Sequence, residues 1–250
     1  MFLYAQTNIQ LYRQLEAEGY AAAAVETVGR AHELAQRLFP GIYRGSGRPF
    51  LAHLVGTASV LVSLRARVPM VVTGLLHAVY THGEFGNGWR GINEAKRAKV
   101  RGEVGEEVED LIARYTRLTW RPSTIPAIRA GLDAMSPPER DVLLVRLANE
   151  LEDHLDLGIL YSGDHKWRRA FMETELPATV EMAERLGAPA LAKRLAETFA
   201  EVSSAQVSPA LRGSHGESFR IPLASHRPRM RVTVSHLLAR WLERRPARRP

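Results

Sequence analysis

Residues 136–160, SPPERDVLLVRLANELEDHLDLGIL, carry the pattern that decides the fold. Ser136-Pro137-Pro138-Glu139 has the form of a capping box with proline in the first helical turn, where the backbone N–H has no intrahelical partner to lose. The apolar run Val142, Leu143, Leu144, Val145 and Leu147 follows at once. Alone that run would also suit a buried strand. Its continuation through Leu151, Leu155 and Leu157 keeps helical intervals and predicts one long core helix over 137–160. Arg146, Asn149, Glu150, Asp153 and His154 are embedded in it, either as a site or as the helix's wet edge.

Helical spacing extends outward on both sides. Residues 21–39 place Val25, Val28, His32, Ala35 and Leu38 or Phe39 on one stripe, as a repeat of 3.6 residues requires. Further helices are predicted at about 50–65, 69–82, 90–100, 104–119, 166–186 and 188–203, the fourth with Glu106 and Glu107 in its first turn, where acids favour the helix dipole. Alternation of the β type is absent except weakly at 229–234. The class read from this is all-α, a helical bundle with a basic C-terminal extension. Its parts are an N-terminal helix in 1–20, the helical domain at 21–203, a linker rich in Ser, Pro, Gly and Arg at 204–231, and a basic helix and tail at 232–250.

With 250 residues, 45% hydrophobic and 24% charged, the chain is long enough to bury a sizeable core, which excludes disordered and fibrous classes. The longest apolar stretch, 68–80, is broken by Pro69, Thr73, Gly74 and His77 and falls short of a bilayer span. The N-terminus has neither the basic nor the apolar region of a secretory signal, so a cytoplasmic address is the default. Cysteine is absent, which removes thiolate ligands and nucleophiles. The net charge of +7 is uneven: residues 207–250 hold ten Arg against Glu217 and Glu243, leaving the first 206 residues at −1. The basic character belongs to the tail, and a nucleic-acid-binding body is not indicated.

Three segments combine polar groups with apolar helix faces. Tyr43–His53 is a basic, glycine-containing loop leading into a helix, and Arg44, Ser46 and Arg48 at such an N-terminus suit an anion. In Gly74–His82, His77 interrupts an apolar helix and His82 falls just past its end. The third segment is Arg146–His154. Glycines and aromatics in 83–90 read equally as a plain connection or as a flexible lid.

Taken in order, these segments resemble the HD-type hydrolase domain of the RelA/SpoT family of alarmone enzymes. That family reads Ser-Gly-Glu-Pro-Tyr-x-x-His, Leu-Leu-His-Asp-x-x-Glu-Asp, Gly-x-x-Val-x-x-Leu-Val-x-x-Val-Thr-Lys-Leu and Val-Lys-Leu-Ala-Asp-Arg-Leu-His-Asn. This chain reads Ser46–His53, Leu75–His82, Gly105–Leu118 and Val145–Asp153 in the same order, over about residues 25–195. The resemblance implies a helical bundle holding Mn²⁺ through two histidines and two aspartates, with metal-activated water hydrolysing the 3′-pyrophosphate of (p)ppGpp.

The chain keeps the histidines as His53 and His77 but has Ala78 and Asn149 where the resemblance implies aspartates, and Thr81 and His82 where it implies the Glu-Asp pair. Asp153 replaces the nucleotide-contacting Asn. A hard cation prefers anionic oxygen, so two imidazoles and an amide make a poor Mn²⁺ site, and ordinary (p)ppGpp hydrolysis is not expected.

The leading expectation is therefore a phosphate-ligand-binding or regulatory domain, with Arg44, Ser46, Arg48, Asn149 and Asp153 as contacts to a small phosphorylated ligand. The rival is a metal-dependent phosphohydrolase or oxygenase with a rebuilt site of His53, His77 and His82, holding Zn²⁺, Fe²⁺ or Mn²⁺, with Glu84 or Glu150 as the catalytic acid or base. The basic tail helix suits an acidic partner or an anionic surface, or else packs back on its own domain.

Overall fold

The central helix starts as its sequence demands. The backbone N–H of Ser136 donates to Glu139 Oε2 at 2.8 Å, and the Ser136 hydroxyl donates to the same carboxylate. The computed structural model describes residues 4–86 and 90–221. Met1–Phe219 form one unit and Arg220–Pro250 a second, and the architecture below is that of the first. The expected strand-like stretch at 229–234 and the tail helix lie outside the described residues, as do 87–89 of the glycine loop.

In chain order the helices are α1 (Asn8–Ala17), α2 (Ala22–Leu38), α3 (Phe50–Ser63), α4 (Val68–Leu76), α5 (Val79–His82), α6 (Glu94–Val104) and α7 (Glu106–Arg117). They continue with α8 (Ile125–Gly131), α9 (Pro137–His154), α10 (His165–Arg185) and α11 (Pro189–Ser204). Among the described residues the β-structure consists of Ile42–Tyr43 and Phe219–Arg220, so the class is all-α. None of these helices is long and apolar enough to cross a membrane.

The core is built on α3, α4 and α9, with α2 and α7 against α4 and the α10–α11 hairpin closing the far side. Leu54, Val55, Ala58, Leu61 and Val62 of α3, the whole of 70–76 in α4, and Val145, Leu147, Ala148 and Leu151 of α9 are buried together. Close approach depends on glycine. A Cβ on Gly74 would stand 3.2 Å from the Ala58 backbone and 2.8 Å from Leu61 Cδ1, and one on Gly56 would stand 2.5 Å from Glu152 Oε1. Side chains of α7 are polarised as predicted, with Glu106, Glu107 and Glu109 in the first turn and Arg114 and Arg117 in the last.

Two helices end earlier than their periodicity predicts. The helix read over 69–82 breaks at His77–Ala78 into α4 and α5, and α5 stops where the Gly83 N–H bonds to the Val79 carbonyl at 3.0 Å. The helix read over 137–160 stops at His154, because Asp156 and Leu157 take left-handed backbone angles, φ 54° and 58°, and the chain continues as a 3₁₀ segment. Apolar spacing through Leu155 and Leu157 records their packing against the core rather than a continuing helix. Helix α8 was not anticipated, since its seven residues are too few to show a period.

A second glycine device closes the loop before α3. Gly45, Gly163 and Gly213 bring three chain segments into backbone contact: Gly163 N–H bonds to His215 O at 2.9 Å and Gly213 N–H to Tyr161 O at 2.6 Å. A Cβ on Gly45 would stand 2.5 Å from His215 O. Residues 213–219 thereby lie over the Arg44 loop, with His215 stacked on Phe219 and Phe219 on Tyr43.

Candidate functional site

Helix α3 delivers His53 one turn after its start, with a side chain only 2% exposed. Helix α9 delivers Glu152 and Asp153 opposite it, since residues three and four apart share a helix face and Glu152 lies on the stripe of Val145 and Ala148. His53 Nδ1 hydrogen-bonds to Glu152 Oε2 and lies 3.5 Å from Asp153 Oδ1. The loop before α3 supplies the counter-charges. Arg48 pairs with the other oxygen of Glu152 and also with Gln6, and Arg44 pairs with Asp153 Oδ1. Asn149 donates to Asp153 Oδ2 at 3.1 Å.

Burial and these charges set the protonation of the cluster. Burial first, and the Arg44 charge second, push the His53 pKa well below its ordinary 6.5. His77 is pushed the same way by burial and then by His53. Burial raises Glu152 well above the carboxylate range, against the pull of Arg48. For Asp153 the balance is reversed: burial opposes ionisation, but the guanidinium charges, Arg44 foremost, outweigh it and hold its pKa well down. The pocket thus contains neutral imidazoles, an ionised Asp153 and fixed guanidinium charges.

His77 sits at the break between α4 and α5, where its Nδ1–H donates to the Gly74 carbonyl at 2.8 Å and leaves Nε2 as the lone-pair nitrogen. Its ring stands edge-on to His53 at 5.4 Å and 4.9 Å from Tyr115. Tyr115 in turn accepts from Arg146 at 3.2 Å, and Arg146 pairs with Glu150 and lies over the Trp120 ring. The arrangement of α5 beside them is fixed from behind, where Tyr80 donates to Glu109 at 2.7 Å and Arg97 grips the same carboxylate at 2.7 and 2.8 Å.

The expected site residues are thus partly gathered. His53, His77, His82, Asn149, Asp153 and Arg44 line one cavity of about 230 Å³. Ser46 and Arg48 line a smaller one, about 30 Å³, beneath residues 216 and 218. Glu150 lines a third, about 260 Å³, which shares Arg44, Arg146 and Asp153 with the first. Glu84 is absent from the walls of all three; it is exposed, with its carboxylate accepting from the Gly86 N–H at 3.2 Å. Glu152 and Tyr115 were not singled out from sequence, and Arg146 was named only as part of the polar stretch of the central helix. A carboxylate on the apolar stripe of α9 was the available signal for Glu152.

The divalent ion implied by the resemblance does not fit this donor set. His53, Glu152 and Asp153 are the acidic-histidine group whose ligand atoms lie within 4.8 Å of one another among the described residues. Each carboxylate in that group already carries a guanidinium, and His53 turns its Nδ1 to Glu152. A cation placed there would meet Arg44 and Arg48 at contact distance. His77 and His82 stand outside the group, and Asn149 and Ala78 add no charge.

Residues 38–119 match a family described as a domain of unknown function, DUF6817. The chain is also similar to a probable GTP pyrophosphokinase of Mycobacterium leprae (strain TN), with 28% identity over 174 residues, covering 68% of this chain. It spans only 20% of that protein's length.

Proposed function

We propose that this chain is a binding or regulatory domain for a small phosphorylated ligand of the nucleotide kind, and that it works without the divalent ion of a phosphohydrolase. The name of its pyrophosphokinase relative supports the ligand class. The observation that carries the rest is that internal guanidinium contacts occupy both acids, Arg44 on ionised Asp153 and Arg48 on Glu152, beside two imidazoles kept neutral. Phosphate oxygens entering the 230 Å³ cavity meet Arg44 and Arg146, while Asn149 and Tyr115 offer neutral polar contacts. Calorimetric titration with inorganic pyrophosphate in EDTA tests this. Binding is expected to persist in chelator, to weaken with salt, and to fall about tenfold in Arg44→Ala, as loss of a charge-assisted bond requires. Binding that appears only when Mn²⁺ is restored would overturn it.

One observation favours a second reading. With Nδ1 of both His53 and His77 engaged, each ring leaves Nε2 available, which is how metal-binding imidazoles are usually oriented. Under that reading purified protein carries stoichiometric zinc or iron that His77→Ala removes. A metal-free native protein excludes it.

A further inference from the structure

The last turn of α7 borders two cavities. Tyr115, Thr116 and Leu118 line the phosphate cavity, whereas Arg114, Arg117 and Leu118 line a separate groove of about 350 Å³ against Met135 and the start of α9. From α9 the groove takes Glu139, Val142 and Leu143. Val142 and Leu143 are buried and Leu118 and Met135 half-buried, so apolar carbon dominates the lining. Methionine, unbranched and flexible, adapts its shape to a guest.

The charged lining residues are not equal. Glu139 is occupied by the Ser136 N–H and hydroxyl, and Arg114 Nε donates to Asp110 Oδ2 at 2.5 Å. Arg117 is exposed and has no ion pair or hydrogen bond among the described residues. The uncommitted charge beside this apolar groove is therefore positive. The groove's volume lies at the lower end of small-ligand sites, which selects a small molecule over a folded partner.

We propose that the groove is a binding site for a small, elongated apolar molecule ending in a carboxylate. The chain packs on Leu118, Met135, Val142 and Leu143, and the carboxylate meets Arg117. Leu118 also lines the phosphate cavity, and its N–H bonds to the carbonyls of Arg114 and Tyr115 at 3.0 and 3.2 Å. A guest that holds Leu118 thus holds the turn that carries Tyr115, which couples the groove to the phosphate pocket. That coupling rests on the phosphate reading; the groove itself does not.

Calorimetry on the full chain with hexanoate, octanoate and decanoate tests the apolar wall, and octylamine, the same chain with the opposite charge, tests Arg117. Affinity is expected to rise about fourfold per added methylene, as buried hydrocarbon requires. Octanoate is expected to bind several-fold more tightly than octylamine. Arg117→Gln weakens octanoate about threefold, the scale of an exposed ion pair, without weakening octylamine. Met135→Glu, at a half-exposed position, weakens octanoate about tenfold. Affinity independent of chain length, equal binding of octanoate and octylamine, or indifference to both substitutions in variants of native thermal stability overturns the site. Saturating decanoate is expected to shift pyrophosphate affinity several-fold, with pyrophosphate shifting decanoate affinity by the same factor. An unchanged pyrophosphate affinity overturns the coupling. Absence of pyrophosphate binding beside an intact chain-length series supports the groove and overturns the phosphate reading alone.

Discussion

Gly56 and Glu152 occupy space that only one of them can fill: a Cβ on Gly56 would lie 2.5 Å from Glu152 Oε1 and 2.7 Å from its Cγ. The buried carboxylate between Arg48 and His53 therefore depends on a missing side chain one helix away. Gly56→Ala is expected to destabilise by about 1–3 kcal/mol, the usual result of overpacking a core. Gly102→Ala, in α6 with open space around it, is expected to stabilise by about 0.5–1 kcal/mol through helix propensity. Urea unfolding of the two variants beside the parent checks both signs.

Arg48 is the counter-charge of a fully buried acid. Arg48→Met leaves that buried acid, Glu152, short of a hydrogen-bond partner, at a cost of about 1–3 kcal/mol. Adding Glu152→Met to the same chain should recover most of the loss, because the pair is then replaced by apolar volume. A double-mutant cycle in thermal unfolding reads this, and equal instability of the single and double variants would contradict it.

Stability should fall as pH drops below about 6.5. His53 and His77 have folded pKa values well below 6.5, so the unfolded chain binds more protons in that window and acid favours unfolding. Glu152 acts oppositely: its raised pKa makes the folded chain bind the extra proton above 4.5, which stabilises toward low pH and is lost as pH rises. Two imidazoles outweigh one carboxyl, giving a net loss, and Glu152→Gln should steepen it. Asp153 adds its own loss only below its ordinary 3.8. Urea midpoints at several pH values between 7.5 and 5 measure the slope.

Tyr80→Phe removes one of the donors to buried Glu109 and is expected to cost about 1–2 kcal/mol, while Arg97 keeps the carboxylate paired. Arg97→Met should cost more. Hydrogen exchange should show the change first in α5, which those bonds fasten.

How much of this was legible depended on sequence distance. The start of α9 could be read from Ser136 and Glu139, three residues apart, and the polarity of α7 from one turn of glutamates. His53 and His77 facing one cavity followed from motif order. The Arg44–Asp153 and His53–Glu152 pairs join residues 109 and 99 positions apart, and no local pattern announces such partners. The left-handed turn at Asp156–Leu157 was illegible for another reason. Leucine has no preference for positive φ, so packing imposes that conformation against local propensity.

The three-glycine seam at 45, 163 and 213 has a consequence for water. Its backbones touch with no side-chain carbon between them, and Gly216 and Ser218 come with them into the wall of the small chamber lined by Arg48 and Glu152. Any bulk added at the seam would push these backbones apart and admit more water around Arg48 and Glu152, weakening the electrostatic contact between them by raising the local dielectric. How closely that wall sits over Arg48 is thus decided by hydrogen atoms standing where side chains would be in three distant stretches of chain.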